Sequence, residues 1–299
     1  MGALTIVMAG GSGFLGTHLR TELEQRGHQV TALVRRPTQQ PDESPWDPYS
    51  DQVDRELVAA ADVVINLAGS PTLGNPHSKK WSQSLHDSRV RTTAVLAEAI
   101  AAAPQPPLFL AGNAIAWYGD HGATTLTEDA DTRGHSLMTN VCRDWQAAAR
   151  PAVDAGARVA YLRTTPVMDK SSAPLQQLRL LFKAGLGGKL GNGRQYMPMI
   201  SLRDWVGAVA YLAEHPTADG PVNLCCVETP TNAEFTRALA DALHRPAFAA
   251  VPGPFIKAAA GRVSTELLGS LNTRPQALLD LGYQFADPDV AAVLASGLA

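Results

Sequence analysis

The chain has 299 residues, 45% of them hydrophobic and 18% charged, enough to bury a sizeable core and too apolar for a disordered or fibrous protein. Its formal net charge of -3, with no dense Lys/Arg cluster, argues against nucleic acid or an acidic membrane as the main partner and points to a small molecule. The cysteines are Cys142 and the adjacent pair Cys225 and Cys226, whose side chains would face opposite sides of a strand, and the scattered histidines form no H-x-x-x-H, so no metal site is expected.

In chain order, short apolar runs rich in Val, Ile and Leu occur at 4–9, 29–34, 62–68, 107–112 and 158–163. Runs without a polar face suit buried parallel strands. Helical patterns separate them at 14–26, 79–103 and 138–155, the first ending at Gly27 and the last at Gly156. This alternation predicts an α/β fold, a Rossmann-like doubly wound parallel sheet with a smaller C-terminal substrate region. Beyond about residue 165 the rhythm loosens. The glycine-dense stretch 183–200 reads as a loop over a site, followed by a helix at about 203–214 and a strand at "PVNLCC". Thr231 and Glu234 then form a capping box that opens the next helix, and the tail from about 250 mixes short helices with turns. The expected division is a nucleotide-binding domain over 1–165, joined by a returning helix and strand at about 203–225, and a substrate region over 166–299. The opening "MGALTIVMAG" lacks a basic n-region and a cleavage site, from which a cytoplasmic protein is expected.

Between the first run and the first helix lies "GGSGFLG", in which Gly10, Gly13 and Gly16 form G-x-x-G-x-x-G. A tight turn, backbone approach to a pyrophosphate and close helix–strand packing each require a missing side chain, and the helix N-terminus adds N–H donors and a favourable dipole. Strand, loop and helix in this order predict a dinucleotide site at Gly10, Gly13, Phe14, Leu15 and Gly16. A site for NAD usually ends its second strand with an acid for the ribose 2′-hydroxyl. Here the strand runs into Arg35 and Arg36, which suit a 2′-phosphate and make NADP the expected cofactor; a solvated basic strand end is the plain alternative. "NLAG" closes the third run and places backbone at Leu67, Ala68 and Gly69 where the cofactor is expected.

Taken in this order, these residues resemble the extended short-chain dehydrogenase/reductase superfamily. "GGSGFLG", "INLAG", "SRVRTT", "YGD", "VCRDW", "LRTTPV", "GLGGKLGNGRQ" and "TNAEFTRALADALHRP" are similar to a narrower group, the epimerase-family proteins with a short C-terminal domain of unknown function. The resemblance implies cofactor contacts at Arg35, Leu67, Ala68 and Arg89, the last in place of an asparagine in ordinary members. It also implies that Thr164–Val167, with Pro166 and Val167, lies beside the nicotinamide. Members of the superfamily often pair through the two helices that here span 79–103 and 138–155, so a homodimer is a further expectation.

The usual proton-transfer machinery of that superfamily is absent. It consists of a tyrosine and, four residues later, a lysine that lowers the tyrosine's pKa from about 10. No Tyr-x-x-x-Lys occurs in the chain, and Leu137 and Val141 occupy the matching positions. Ala111 and Asn113 stand where serines are usual, and "MIS" at Met199–Ser201 stands where many members have "WIH". The candidate replacements are Tyr118 as acid/base and Asn113 as a hydrogen-bond donor, with Asp120, Tyr196, Cys142 and a bound water as further options. The plain alternatives are a packed aromatic for Tyr118, a turn acid for Asp120, a loop aromatic for Tyr196 and a small buried core residue for Cys142. Two functions stay open: an NADP(H)-dependent oxidoreductase or epimerase of unknown substrate with an atypical active site, and a cofactor-holding or sensing module that acts through a partner.

Overall fold

The computed structural model of the chain describes residues 2–72, 74–247 and 249–299. Seven strands form a parallel sheet: β1 (Thr5–Ala9), β2 (Gln29–Val34), β3 (Glu43–Pro45), β4 (Val63–Asn66), β5 (Leu108–Ala114), β6 (Val159–Thr164) and β7 (Gly220–Leu224). Their order across the sheet is β7-β6-β5-β4-β1-β2-β3, and the first three helices in the chain are α1 (Phe14–Gln25), α2 (Arg55–Ala59) and α3 (Lys79–Ala101). Progress reverses at β1, with β2 and β3 on one side and β4 and β5 on the other, so the carboxyl end of β1 is the switch point of a doubly wound sheet. The apolar runs are central strands: every residue of β4 and nearly all of β1 is buried.

Three departures from the sequence reading have simple causes. The helical pattern 138–155 is two helices, α4 (Leu137–Ala147) and α5 (Arg150–Asp154), with Pro151 in the first turn of α5, where its missing N–H costs no helical bond. The edge strand β3 has no signature in the sequence because its three residues, one of them proline, carry no apolar alternation. The glycine-dense stretch 183–200 is not all loop: Gly188–Leu190 pairs in parallel with Ala249–Val251, a partner too distant in sequence for local pattern to reveal.

Two compact units divide the chain. The first comprises residues 1–113, 141–162 and 206–221, the second 114–140, 163–205 and 222–299. Residues 114–140, inside the range expected for the nucleotide domain, thus belong to the second unit. In the first unit, Val7, Leu33, Val64, Phe109 and Val159 of the sheet pack with Leu96 and Ile100 of α3 (Lys79–Ala101). Among the described residues no large apolar side chain is exposed on α3 or α4; His86, paired with Asp87 and Asp144, lies there instead.

The second unit has its own core, in which Phe182, Met199, Phe235, Leu239 and Leu294 meet. Thr231 and Glu234 form both bonds of the capping box on the helix Asn232–Leu243. Within this unit the C-terminal stretch is tied down by Asp204, buried at 1% exposure, which accepts the N–H groups of Ala286 (2.9 Å) and Asp287 (2.7 Å) and the Tyr283 hydroxyl (3.2 Å). Burial raises its pKa, opposed by these donors. Asp204→Ala leaves buried donors unpaired and is expected to cost on the order of 3 kcal/mol, read as a fall in the urea unfolding midpoint; an unchanged midpoint would refute the anchor.

Candidate functional site

The glycine loop after β1 is built by backbone contact. Gly10, at the end of β1, has φ +83°, and a Cβ there would stand 2.6 Å from the carbonyl carbon of Leu67 just past β4. A Cβ on Gly16, inside α1 (Phe14–Gln25), would stand 2.1 Å from the Gly10 carbonyl oxygen. These two glycines are therefore required by the protein's own packing. Gly13 differs: a Cβ there would meet nothing within 4 Å except the Gly10 oxygen at 3.3 Å. It caps α1 without a side chain, so the N–H groups of Phe14, Leu15 and Gly16 have no partner among the described residues, and the first helical bond is Thr17 N–H to the Gly13 carbonyl at 2.9 Å. Free donors, an aligned helix dipole and a glycine with space beside it make an anion cradle.

The neighbouring backbone is clamped from α3 and α4. Asn66, fully buried at the end of β4, accepts the Ala68 N–H at 3.0 Å and donates to Thr93 Oγ1 at 2.9 Å; the Trp145 indole N–H donates to the same oxygen at 2.8 Å. Leu67 donates its N–H to the Ala9 carbonyl at 2.9 Å. Gly112 of β5 admits this arrangement, since a Cβ there would lie 2.7 Å from the Asn66 main-chain carbonyl oxygen and 2.8 Å from the Trp145 ring. Arg89 is 7% exposed and donates to the carbonyls of Ser70 (3.2 Å) and Leu85 (3.0 Å), its guanidinium 5.2 Å from the Trp145 ring centroid. It backs Gly69, whose Cβ would lie 3.2 Å from the Arg89 Cζ. No carboxylate among the described residues pairs with it, and burial lowers its pKa to about 10, leaving a cation at neutral pH. The first unit thus gathers Gly10, Gly13, Phe14, Leu15, Gly16, Leu67, Ala68, Gly69 and Arg89 around the loop-bearing ends of β1 and β4. Asn66, Thr93 and Trp145 escaped the sequence reading, although "INLAG", "SRVRTT" and "VCRDW" contain them; polar residues inside apolar or helical runs carry no sign of mutual contact.

The two arginines after β2 differ. Arg36 is held end-on by Glu43, with Nη1–Oε2 at 2.9 Å and Nη2–Oε1 at 2.6 Å, while Arg35 is exposed and makes no hydrogen bond or ion pair among the described residues. Pro166 and Val167 lie in the second unit, where the Pro166 carbonyl accepts the Ile200 N–H at 3.2 Å and Val167 pairs with Ile200 in a short parallel ladder.

The expected acid/base is packed away. Tyr118 has no exposed surface; its hydroxyl accepts from Arg163 Nη1 at 2.7 Å and lies 2.8 Å from Asn223 Oδ1, to which it donates. Arg163, 2% exposed, stacks 3.7 Å from the Trp117 ring centroid, and Glu128 accepts the Asn223 N–H at 3.0 Å. Burial pushes the Tyr118 phenol up to about 12, against the pull of Arg163. A phenol so buried and so engaged is a structural hub of the second unit, poorly suited to proton exchange near neutral pH. Asn113, 3% exposed, donates to the Cys142 carbonyl at 3.2 Å, and Val141 is buried, so the matching face of α4 offers no acid or base. The second unit also carries a 490 Å³ pocket lined by Asp120, Gly122, Asn192, Arg194, Gln195 and Ser270 among others.

Residues 6–225 match the model of the NAD dependent epimerase/dehydratase family, and residues 251–296 match a domain of unknown function, DUF1731. The chain belongs to the NAD dependent epimerase/dehydratase family. An epimerase family protein of Mycobacterium tuberculosis is 37% identical over 286 residues, covering 95% of this chain and 94% of the relative. The human epimerase family protein SDR39U1 is 32% identical over 297 residues, covering 97% and 98%. The crystal structure of that human protein (isoform 2) with NADPH superposes with a TM-score of 0.86 at 30% identity, over 98% of this chain and 99% of that one. A nucleoside-diphosphate sugar epimerase of Corynebacterium glutamicum superposes at 0.81 with 31% identity, over 99% of this chain and 58% of that one. The glycine loop lies inside the first match, and Tyr283, Ala286 and Asp287, which Asp204 anchors, lie inside the second.

Two substitutions separate ligand from packing. Gly13→Val is expected to abolish NADPH binding in a fluorescence titration while circular dichroism and melting temperature stay near those of the parent, because the branched side chain fills the anion's space. Retained binding would show that the dinucleotide lies elsewhere. Tyr118→Phe strips an acceptor from buried Arg163 and is expected to lower unfolding free energy by about 1–3 kcal/mol with the NADPH Kd unaltered; full stability would contradict the structural role.

Proposed function

We propose that the protein holds NADP(H) in the first unit and a polar small molecule in the pocket of the second, as an oxidoreductase-type family member without the tyrosine–lysine proton relay. The observation that carries this reading is the unpaired N–H row of Phe14, Leu15 and Gly16 beside Gly13, where an added Cβ would meet only the Gly10 oxygen, together with exposed Arg35 after β2, which makes no hydrogen bond or close ion pair among the described residues. The N–H row suits a pyrophosphate, and a guanidinium at the end of the second strand suits a 2′-phosphate rather than a ribose hydroxyl. The NADPH in the human relative's crystal structure supports the same choice.

When bound, NADP(H) supplies a hydride donor or acceptor at its nicotinamide. What the chain's own residues do is hold and orient. Asn66, Thr93 and Trp145 lock the Leu67–Gly69 backbone, and Arg89 keeps a positive charge behind Gly69. In the second unit, Asp120 accepts the N–H groups of Gly122 (2.9 Å) and Ser270 (3.3 Å), which fixes one rim of the pocket, and Arg194 adds an exposed cation to another. An acid, a cation and amide groups around one pocket suit a ligand with hydroxyls and an anionic group.

Leu137, Val141 and the engaged Tyr118 favour a second reading, a cofactor-holding module that acts through a partner. Both readings exclude the ordinary epimerase mechanism. A positioned acid/base contributes about 10² to 10⁴ in rate, and the chain lacks the tyrosine, the lysine and the usual serine positions. Titration followed by energy transfer to the nicotinamide is expected to give NADPH about ten-fold or more tighter than NADH, because a charge-assisted guanidinium–phosphate bond contributes about 1.5–3 kcal/mol. UDP-glucose and UDP-galactose are expected to turn over far below the ~1 s⁻¹ of a typical enzyme. Equal affinity for the two dinucleotides would refute the cofactor reading; epimerisation at that rate would refute the assignment of Leu137 and Val141.

A further inference from the structure

The segment joining β2 to β3 is held more tightly than its exposure suggests. Glu43, the first residue of β3, lies opposite Ala32 of β2 in the register of the sheet edge, and its side chain is 6% exposed. Its carboxylate takes three donors: Arg36 Nη1 at 2.9 Å, Arg36 Nη2 at 2.6 Å and the Gln39 N–H at 2.7 Å. Arg36 Nη1 also donates to the Pro37 carbonyl at 2.9 Å. From the other side, Arg20 of α1 pairs with Asp42, the residue before Glu43, and with Glu24 at 2.7 Å. The hydrogen bond from Arg36, helped by the Gln39 amide, draws the Glu43 carboxyl down to about 2, so the pair is fully ionised at neutral pH.

A guanidinium has two edges that accept a pair of oxygens side by side: the end, formed by Nη1 and Nη2, and the side, formed by Nε–H and the second Nη2–H. Glu43 occupies the end and the Pro37 carbonyl uses the other Nη1 hydrogen. The side edge has no partner among the described residues. An ionised carboxylate on one edge fixes the plane of the guanidinium and leaves its second bidentate edge unoccupied.

We infer that Glu43 is the positioning residue for recognition of the cofactor's 2′-phosphate, holding Arg36 end-on so that its Nε–H/Nη2–H edge is free to take two phosphate oxygens alongside Arg35. This rests on the NADP(H) reading above and goes beyond it, because it assigns dinucleotide choice to an acid that never touches the ligand. An acid near the end of the second strand would ordinarily be read as a ribose-hydroxyl acceptor that favours NAD. Here its oxygens are already committed to Arg36 and Gln39, and its effect is the opposite.

Glu43→Gln keeps the shape and removes the charge. It is expected to weaken NADPH about ten-fold while NADH affinity changes less than two-fold and the melting temperature stays within a few degrees. Arg36→Lys, which keeps the charge but has no second edge, is expected to lose discrimination to a similar extent. Adding Glu43→Gln to Arg36→Ala is expected to cause no further loss, since Glu43 acts only through Arg36. An unchanged NADPH-to-NADH ratio in Glu43→Gln, a tighter grip on NADPH, or a further loss in the double variant would each overturn the inference. If the parent protein itself failed to prefer NADPH, the cofactor reading would fall first. A parent that prefers NADPH beside a Glu43→Gln variant with the same preference would remove only the role of Glu43.

Discussion

The close approach of three backbone segments at the carboxyl ends of β1 and β4 is the constraint on which the first unit depends. With a Cβ excluded to 2.1 Å at Gly16 and 2.6 Å at Gly10, α1 seats against the turn after β1, and that turn seats against Leu67. No side chain intervenes, so the helix N-terminus, with its unpaired N–H groups, opens at the switch point of the sheet, where β2 and β4 diverge from β1. The third glycine of the motif answers to a different requirement, for its Cβ would meet only the Gly10 oxygen, at 3.3 Å, where those of Gly10 and Gly16 would overlap backbone. The one motif therefore serves folding at two positions and leaves room for a ligand at the third.

Polar side chains then stiffen what the glycines bring together. Asn66 and Trp145 share the Thr93 hydroxyl, and the buried Arg89 is satisfied by main-chain carbonyls and an aromatic face rather than by a carboxylate. A desolvated cation without an anionic partner leaves its field unneutralised, which favours an anionic ligand at the nearby loop. The second unit resolves a similar problem differently. Arg163 is buried against the Trp117 and Tyr118 rings, and its Nη1–H donates to the Tyr118 hydroxyl oxygen. The same residue pair that could have supplied a phenol of lowered pKa instead supplies one raised by burial to about 12. The absence of Tyr-x-x-x-Lys is thus not offset by the nearest tyrosine in the chain.

Around β2 and β3, charge is arranged by position rather than by count. Arg35 and Arg36 are equivalent in sequence, yet among the described residues the first makes no hydrogen bond or close ion pair and the second is fixed by Glu43 through two bonds. Glu43 in turn owes its place to the pairing of β3 with β2, and that short edge strand exists because tertiary pairing supplies what its own composition does not.

The sequence by itself determined the element alternation, the glycine cradle, the basic end of β2 and the loss of the tyrosine–lysine pair. Each of these is a local pattern: apolar runs spaced by helices, glycines at intervals of three, and residue types at i and i+4. The capping box of Thr231 and Glu234 was legible for the same reason, since its two hydrogen bonds span three residues. Only the tertiary structure decided that residues 114–140 join the second unit, that Gly188–Leu190 is a strand, that Tyr118 is a buried partner of Arg163, and that Glu43 holds Arg36. Those outcomes depend on which distant segments pair and on which polar groups lose their water. Burial and long-range pairing are set by packing of the whole chain, and no spacing within a few residues encodes them.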